Sequence, residues 1–95
     1  MVTVVWETWL NSGAEAESLS LTRRIWSDMQ RFDISHRLLI DQDASTHLLV
    51  VSEWVNRETA DRIKDQYAGS ETVRRLKPLL ACERGRWVYS EDKDI

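Results

Sequence analysis

The stretch VVSEWVNRETADRIKDQY (residues 50–67) changes its hydrophobic periodicity in the middle. It opens with β-branched residues and reaches Trp54, a composition that is typical of a strand. Asn56 then stands where a helix N-cap belongs, because its side chain can accept a hydrogen bond from an early backbone N–H. The apolar residues that follow recur at helical spacing: Ala60, Ile63 and Tyr67. The stretch therefore predicts a strand that passes directly into a helix, with Trp54 at the joint.

Three further segments precede this joint. VTVVWETWL (2–10) is β-branched and aromatic, and it ends at the turn residues NSG (11–13), so we predict a first strand that is apolar on both faces. Residues 14–32 have helical periodicity, carried by Ala14, Ser18, Leu21, Ile25, Met29 and Phe32. Leu19 and Trp26 share one flank of that helix, either as extra core or as the wall of a ligand site or a subunit contact. ISHRLLI (34–40) and THLLVVSEW (46–54) flank the turn DQDAS, which predicts a hairpin.

The segment after residue 67 predicts a second helical piece and a last strand. Gly69 interrupts the first piece, Ser70 can cap the second, and Pro78 must lie at or after its end because the proline ring clashes with a preceding helical turn. RGRWVYS (84–90) is the last strand, with a charged tail (91–95) that we expect to be loose. The order β-α-β-β-α-β predicts an α+β, ferredoxin-like plait: a four-stranded antiparallel sheet with both helices on one face. We also expect strands one and three to be parallel neighbours.

Composition limits the function classes. The 95 residues form one domain, with five tryptophans and a net charge of −3 without a basic stripe, which argues against nucleic-acid binding. Cys82 is the single cysteine, which fits a reducing, cytoplasmic compartment. The longest aliphatic run, Leu48 to Val51, is too short to span a membrane, and the N-terminus lacks the features of a signal peptide. Because the helices cover only one face of an apolar sheet, we expect a homodimer joined through its sheet faces.

The sequence resembles the antibiotic biosynthesis monooxygenase domain family of dimeric α+β barrels. The resemblance spans roughly residues 2–90 and is carried by four segments: VTVVWETWL, SEWVNRETADRI, YAGSETVRRLKPLL and RWVYS. The family includes small oxygenases that act on quinols and anthrone-like aromatics without metal or flavin, the deprotonated substrate itself giving an electron to oxygen. In such relatives a tryptophan at the end of strand three helps to wall the pocket between sheet and helices, and Trp54 matches it. The resemblance thus implies a cofactor-independent monooxygenase for a small aromatic substrate.

A haem-degrading branch of the same family is a poor match. Its second helical stretch has the spacing W-x-x-S-x-x-F-x-x-x-H, which here is Tyr67, Ser70, Val73 and Lys77. A protonated lysine replaces the histidine that would ligate iron. The branch also has an asparagine in strand one, near the place of Glu7. The resemblance therefore implies no haem site.

Four residues are candidates for a site. Glu7 lies in a central strand and is a candidate base if burial raises the pKa of its carboxyl. Alternatively, its side chain reaches the rim of the sheet or pairs with Arg86. The same reasoning applies to Glu53. His36 is also a candidate base. It lies among aliphatic residues, however, where a histidine is more often part of the core with its hydrogen bonds satisfied. Tyr67 offers a hydroxyl that could orient a phenolic substrate, or else it only ends an ordinary amphipathic stripe. Trp54 serves as core and pocket wall together.

The remaining expectations concern metals and alternative functions. His36 and His47 meet only if the hairpin register puts them on one face, and with no matched carboxylate they predict no metal site. Besides the monooxygenase, we keep a non-catalytic ligand-binding or accessory module with the same dimeric fold. A cavity between sheet and helices with a titratable group facing it favours the enzyme, whereas a solid interior favours an interaction module. An effector-sensing domain of a transcription factor would need a DNA-binding segment, which these residues do not contain.

Overall fold

The computed structural model describes residues 1–95, and its elements follow the predicted order. The strands are β1 (Val2–Trp9), β2 (Ser35–Ile40), β3 (His47–Trp54) and β4 (Gly85–Tyr89). The helices are α1 (Glu15–Met29), α2 (Arg57–Tyr67) and α3 (Glu71–Leu76), and a 3₁₀ turn covers Lys77–Leu79. The predicted α+β, ferredoxin-like architecture is confirmed. None of the helices is both long and apolar enough to cross a membrane.

The sheet has the strand order β2-β3-β1-β4, and every neighbouring pair is antiparallel. The expectation that strands one and three are parallel neighbours is therefore wrong. In the observed register Thr3 lies opposite Glu53 and Glu7 lies opposite Leu49. Glu7 and Glu53 consequently lie near opposite ends of the β1–β3 pair, and Glu53 accepts a hydrogen bond of 2.8 Å from the Thr3 hydroxyl.

Side chains alternate between the two faces of the sheet, and only one face is covered by helices. In β3 the covered positions are Leu48, Val50, Ser52 and Trp54, all buried, and Val4 and Thr8 match them in β1. We call the uncovered side the outer face. Its residues are Thr3, Val5, Glu7 and Trp9 from β1, Arg37 and Leu39 from β2, His47, Leu49, Val51 and Glu53 from β3, and Trp87 and Tyr89 from β4.

The helix boundaries follow from local chemistry. The Asn56 side chain accepts a 2.8 Å hydrogen bond from the backbone N–H of Thr59, and Ser70 accepts one of 3.2 Å from Val73. Both are the predicted N-caps, which satisfy backbone donors that lack a helical partner. Pro78 lies just after α3, inside the 3₁₀ turn, where its ring no longer disturbs a helix.

The core lies between the helices and the covered face of the sheet. Its buried cluster consists of Val4, Leu21, Ile25, Trp26, Met29, Val50, Trp54, Ala60, Ile63, Val73 and Leu76. The residues from α1 recur at the predicted helical spacing, and Trp26, the flank residue, is buried among them. Val2, Trp6, Leu38, Tyr67 and Leu80 pack against this cluster while staying partly exposed, so the core thins out toward β4 and the end of α2.

Candidate active site

A cavity of about 600 Å³ opens where the core thins, between the covered face of the sheet and the helices. Its apolar wall consists mainly of Val4, Trp6, Ile25, Trp26, Met29, Trp54, Ala60, Tyr67, Val73 and Leu80. Its polar wall consists of Lys64, Asp65, Lys77, Cys82, Glu83, Arg84 and Arg86. The volume and the mainly apolar lining are typical of sites for small organic ligands.

Trp54 is core and cavity wall at once, as the sequence predicts. Only 3% of the residue is exposed, yet its indole borders the cavity. The indole N–H donates to the Ser52 hydroxyl at 2.9 Å, and that hydroxyl donates to the Val4 carbonyl at 3.1 Å. A buried indole N–H requires such a partner, and this pair of bonds fixes the ring plane relative to the sheet. The wall is therefore formed before any ligand arrives.

Other aromatic rings complete the wall. Trp6 borders the cavity from β1 and Trp26 borders it from α1. Tyr67, the last residue of α2, packs its ring edge-on against Phe32 with the centroids 6.2 Å apart, which leaves the phenol at the cavity. Flat π-surfaces from both the sheet and the helices thus meet around one space, which suits a flat aromatic ligand.

The polar wall is rich in cations. Arg86 donates to the Asp61 carboxylate at 2.7 Å, and this bond, with a smaller contribution from Arg57, lowers the pKa of the Asp61 carboxyl. Asp61, rather than Glu7, is therefore the partner of Arg86. Lys64 lies 3.4 Å from Asp65. Arg84 lies with its guanidinium carbon 4.6 Å from the Trp6 ring centroid, and burial lowers the pKa of this guanidinium.

Glu7 lies on the outer face and does not border the cavity. Its carboxylate is 2.8 Å from Nε2 of His47, and Asp41 is 2.9 Å from Nδ1 of the same ring. The hydrogen bond to Asp41, together with Glu7, raises the pKa of His47, while the bond to His47 lowers the pKa of Asp41. Trp9 stacks on the imidazole at 3.9 Å. The structure therefore makes Glu7 part of an ionic cluster on the opposite side of the sheet.

His36 lies on the covered face but borders a different space. It lines a smaller cavity of about 420 Å³, next to Trp26, and its Nδ1 is 2.8 Å from the Asp33 carboxylate. Because His36 is opposite Ser52 and His47 is opposite Trp9, the two histidines point to opposite faces of the sheet. They do not form a pair.

The structure thus brings two of the four predicted site residues together and separates the others. Trp54 and Tyr67 border the main cavity, whereas Glu7 and His36 do not. Sequence reasoning missed Arg84 and Glu83. The sequence contains one weak indication of the arginines. The alternation of RGRWVYS puts Arg84 and Arg86 together on the side of the strand opposite Trp87.

Comparisons with known proteins agree on the fold. SnoaB, a cofactor-independent oxygenase from Streptomyces nogalater, superposes with a TM-score of 0.78 at 22% identity over 97% of this chain and 95% of its own. A proposed antibiotic biosynthesis monooxygenase from Deinococcus radiodurans superposes with a TM-score of 0.85 at 16% identity, over 100% of this chain and 96% of its own. A second such protein, from Nitrosomonas europaea, superposes with a TM-score of 0.83 at 17% identity, over 96% of this chain and 98% of its own.

The chain has the fold of the antibiotic biosynthesis monooxygenases. No family model and no curated protein matches its sequence. With identities at this level, the likeness to the monooxygenases establishes the shared fold across nearly the whole chain.

Proposed function

We propose that this chain is a cofactor-independent monooxygenase for a small, electron-rich aromatic substrate. The observation that carries the proposal is the cavity of about 600 Å³ with tryptophans on both its sheet and its helix wall. A solid interior would have favoured an interaction module. The fold shared with SnoaB, a cofactor-independent oxygenase, supports the same conclusion.

The residues at the cavity suggest how the substrate is held and ionised. Trp54 and Trp26 offer flat surfaces, and the Tyr67 hydroxyl can hydrogen-bond a phenolic oxygen. The cations on the polar wall favour the deprotonated form of a bound phenol or enol, because an opposite charge nearby stabilises an anion. Glu83 is exposed, borders the cavity and forms no ion pair, so we assign it the role of the base at the mouth.

The proposed reaction balances without another reagent. An anthrone-like substrate loses a proton to the base and gives an electron to O₂, and the radical and superoxide combine to a peroxide anion on carbon. That anion takes the proton back to become a hydroperoxide. Loss of water from that hydroperoxide leaves a carbonyl. One oxygen atom of O₂ ends in the product and the other in water, and the carbon supplies all the electrons that O₂ gains. The protein's part is to orient, desolvate and ionise the substrate.

We also propose that two copies join through their outer faces. Four large apolar residues there are exposed: Trp9 at 41%, Leu39 at 40%, Trp87 at 45% and Tyr89 at 53%. Val5, Leu49 and Val51 lie between them. A contiguous apolar patch on a sheet without a cover is typical of a protein interface.

Oxygen uptake by the metal-stripped protein tests the monooxygenase. The panel contains anthrones and quinols, with Trp54→Phe as the wall variant and Glu7→Gln as the matched control on the other face. We expect uptake without added metal or flavin that falls about ten-fold or more in Trp54→Phe and persists in Glu7→Gln. A folded protein that consumes no oxygen with any substrate contradicts the proposal.

The second candidate is a ligand-binding module without turnover. One observation favours it: neither carboxylate at the cavity, Asp65 or Glu83, is buried, so no desolvated base faces the ligand. Binding of the same aromatics without oxygen consumption would decide for this candidate.

A further inference from the structure

Arg84 has an unusual environment for a cation. It precedes β4, borders the main cavity and is partly buried, with its guanidinium over the Trp6 ring at 4.6 Å. The guanidinium carbon of Arg86 lies 5.6 Å from the centroid of the same ring. Two positive charges thus share one aromatic neighbour in a partly desolvated place, where like charges repel more strongly than they do in water.

Arg84 differs from the other cavity cations because it has neither an ion-pair partner nor full exposure to solvent. Arg86 is paired, although its Nε is buried without a hydrogen-bond partner. Arg86 has the Asp61 carboxylate at 2.7 Å and Lys64 has Asp65 at 3.4 Å. Lys77 is exposed to solvent. Arg84 takes part in none of the six ion pairs of the chain, which all join other residues. Burial lowers the pKa of its guanidinium, and no carboxylate oxygen lies within 4.0 Å of it.

A guanidinium does not avoid this cost by losing its proton. Arginine stays charged in proteins, and a desolvated charge without a partner is unfavourable. The Trp6 ring supplies a cation–π contact but no negative charge. Glu83, the preceding residue in the chain, points its carboxylate more than 4.0 Å away from the guanidinium and is exposed. The missing partner is therefore expected from outside the chain, through the cavity that Arg84 borders.

We propose that the ligand of this cavity is an aromatic carboxylate and that Arg84 binds its carboxylate group. The planar fork of a guanidinium matches the two oxygens of a carboxylate, and the resulting hydrogen bonds are charge-assisted. The ring system of the ligand then lies between the tryptophan walls. This inference rests on the proposed function and narrows its substrate class from aromatics in general to those with an acidic substituent.

The test compares two ligands that differ only in charge. Naphthalene-2-carboxylate and naphthalene-2-carboxamide have the same ring and nearly the same shape. Binding to the purified protein is followed by amide-detected NMR, with the Trp54 indole N–H as the reporter at the cavity. We expect the carboxylate to bind about ten-fold more tightly than the amide, and the difference to shrink as salt is added.

Variants of Arg84 test whether this residue causes the preference for the carboxylate over the amide. Arg84→Gln removes the charge and is expected to make the two ligands equal, whereas Arg84→Lys keeps the charge without the fork and should retain part of the preference. Arg74→Gln is the matched control, because Arg74 is an exposed arginine of α3 that does not border the cavity. It should bind both ligands as the native protein does. If Arg84→Gln does not fold, Arg84→Lys carries the comparison.

The outcomes separate this inference from the proposed function. Equal binding of both ligands by the native protein overturns the carboxylate and leaves an aromatic site. Tighter binding of naphthalene-2-sulfonate or naphthyl phosphate than of the carboxylate also overturns it, in favour of a tetrahedral anion. A carboxylate preference that persists in Arg84→Gln removes Arg84 from the site. A preference that depends on Arg84 in a protein without oxygen uptake upholds the ligand class and rejects the monooxygenase.

Discussion

The Glu7 carboxylate lies 2.8 Å from Nε2 of His47, across the β1–β3 pair and on the face of the sheet turned away from the cavity. Glu7 therefore has a structural partner and does not border the cavity. We therefore predict that Glu7→Gln leaves aromatic-ligand binding and oxygen uptake within about two-fold of native. Because the Glu7 side chain is 30% exposed in the single chain, the loss of stability of the monomer should stay near or below about 1 kcal/mol. Ligand titration and oxygen-uptake assays measure the functional effect, and urea unfolding measures the stability. A loss of uptake with intact binding would show that Glu7 takes part in catalysis.

The same cluster predicts a pH dependence of stability. The pKa of His47 is raised, so its contribution is complete below the unfolded value of about 6.5 and is lost as pH rises through the folded value. The pKa of Asp41 is lowered, so its contribution is present above about 3.9 and is lost as pH falls through the folded value. The cluster thus stabilises most between about pH 4 and 6.5.

Urea unfolding of the native protein and of His47→Gln checks this prediction. The difference between their free energies of unfolding should be largest near pH 5.5 and should decline as the pH rises above the unfolded value of about 6.5. His47→Gln keeps the size and polarity of the side chain without a titrating ring. A difference that is constant from pH 5.5 to 8.5 would show that His47 contributes only packing on Trp9.

The fold was predictable because its signals are local. Asn56 and Ser70 cap helices through contacts with residues only three positions away, and the periodicity of α1 needs no knowledge of its neighbours. The direction of β1 relative to β3 is not a local property, and there the expectation of parallel strands was wrong. The relative direction of β1 and β3 depends on where α1 and the hairpin return the chain to the sheet.

The residues that border the cavity were only partly predictable, for the same reason. Both faces of β1 and β3 are apolar, so alternation alone does not say which face the helices cover, and Glu7 was open to either side. Trp54 was expected at the cavity because it joins a strand to a capped helix, and it borders that cavity. Arg84 was missed because its significance depends on Trp6, a residue far away in the chain that it meets only in the folded sheet.

The hydrogen bond between the Trp54 indole and Ser52 predicts a coupled loss of stability. Ser52 is fully buried, so Ser52→Ala leaves the indole N–H without a partner and should cost about 1–3 kcal/mol of unfolding free energy. In the Trp54→Phe background the same change should cost less, because no indole N–H remains. A double-mutant cycle by urea unfolding measures the difference. Equal costs in the two backgrounds would mean that the bond to the Val4 carbonyl dominates.

Glu83 provides a prediction about catalysis. If this exposed carboxylate at the cavity mouth accepts the substrate proton, Glu83→Gln should lower the rate of oxygen uptake about 10²-fold or more and leave ligand affinity nearly unchanged. Asp65→Asn is the matched control at the same cavity, since Asp65 is already paired with Lys64. Steady-state uptake and NMR titration separate rate from affinity. A Glu83→Gln variant with native rates would leave proton removal to water under the influence of the cavity cations.

The outer face predicts the oligomeric state. The chain has a mass of 11.2 kDa, so joining through the outer faces should give a species of roughly twice that mass in light scattering. Trp87 is 45% exposed on this face, and Trp87→Glu should shift the mass toward the monomer because it brings a charge into an apolar contact. Ile34→Glu is the control, since Ile34 is 58% exposed but lies in phase with the helix-facing positions. Its mass should equal that of the native protein. A native protein that stays monomeric at high concentration would reject the interface, and an Ile34→Glu variant that dissociates would place it elsewhere.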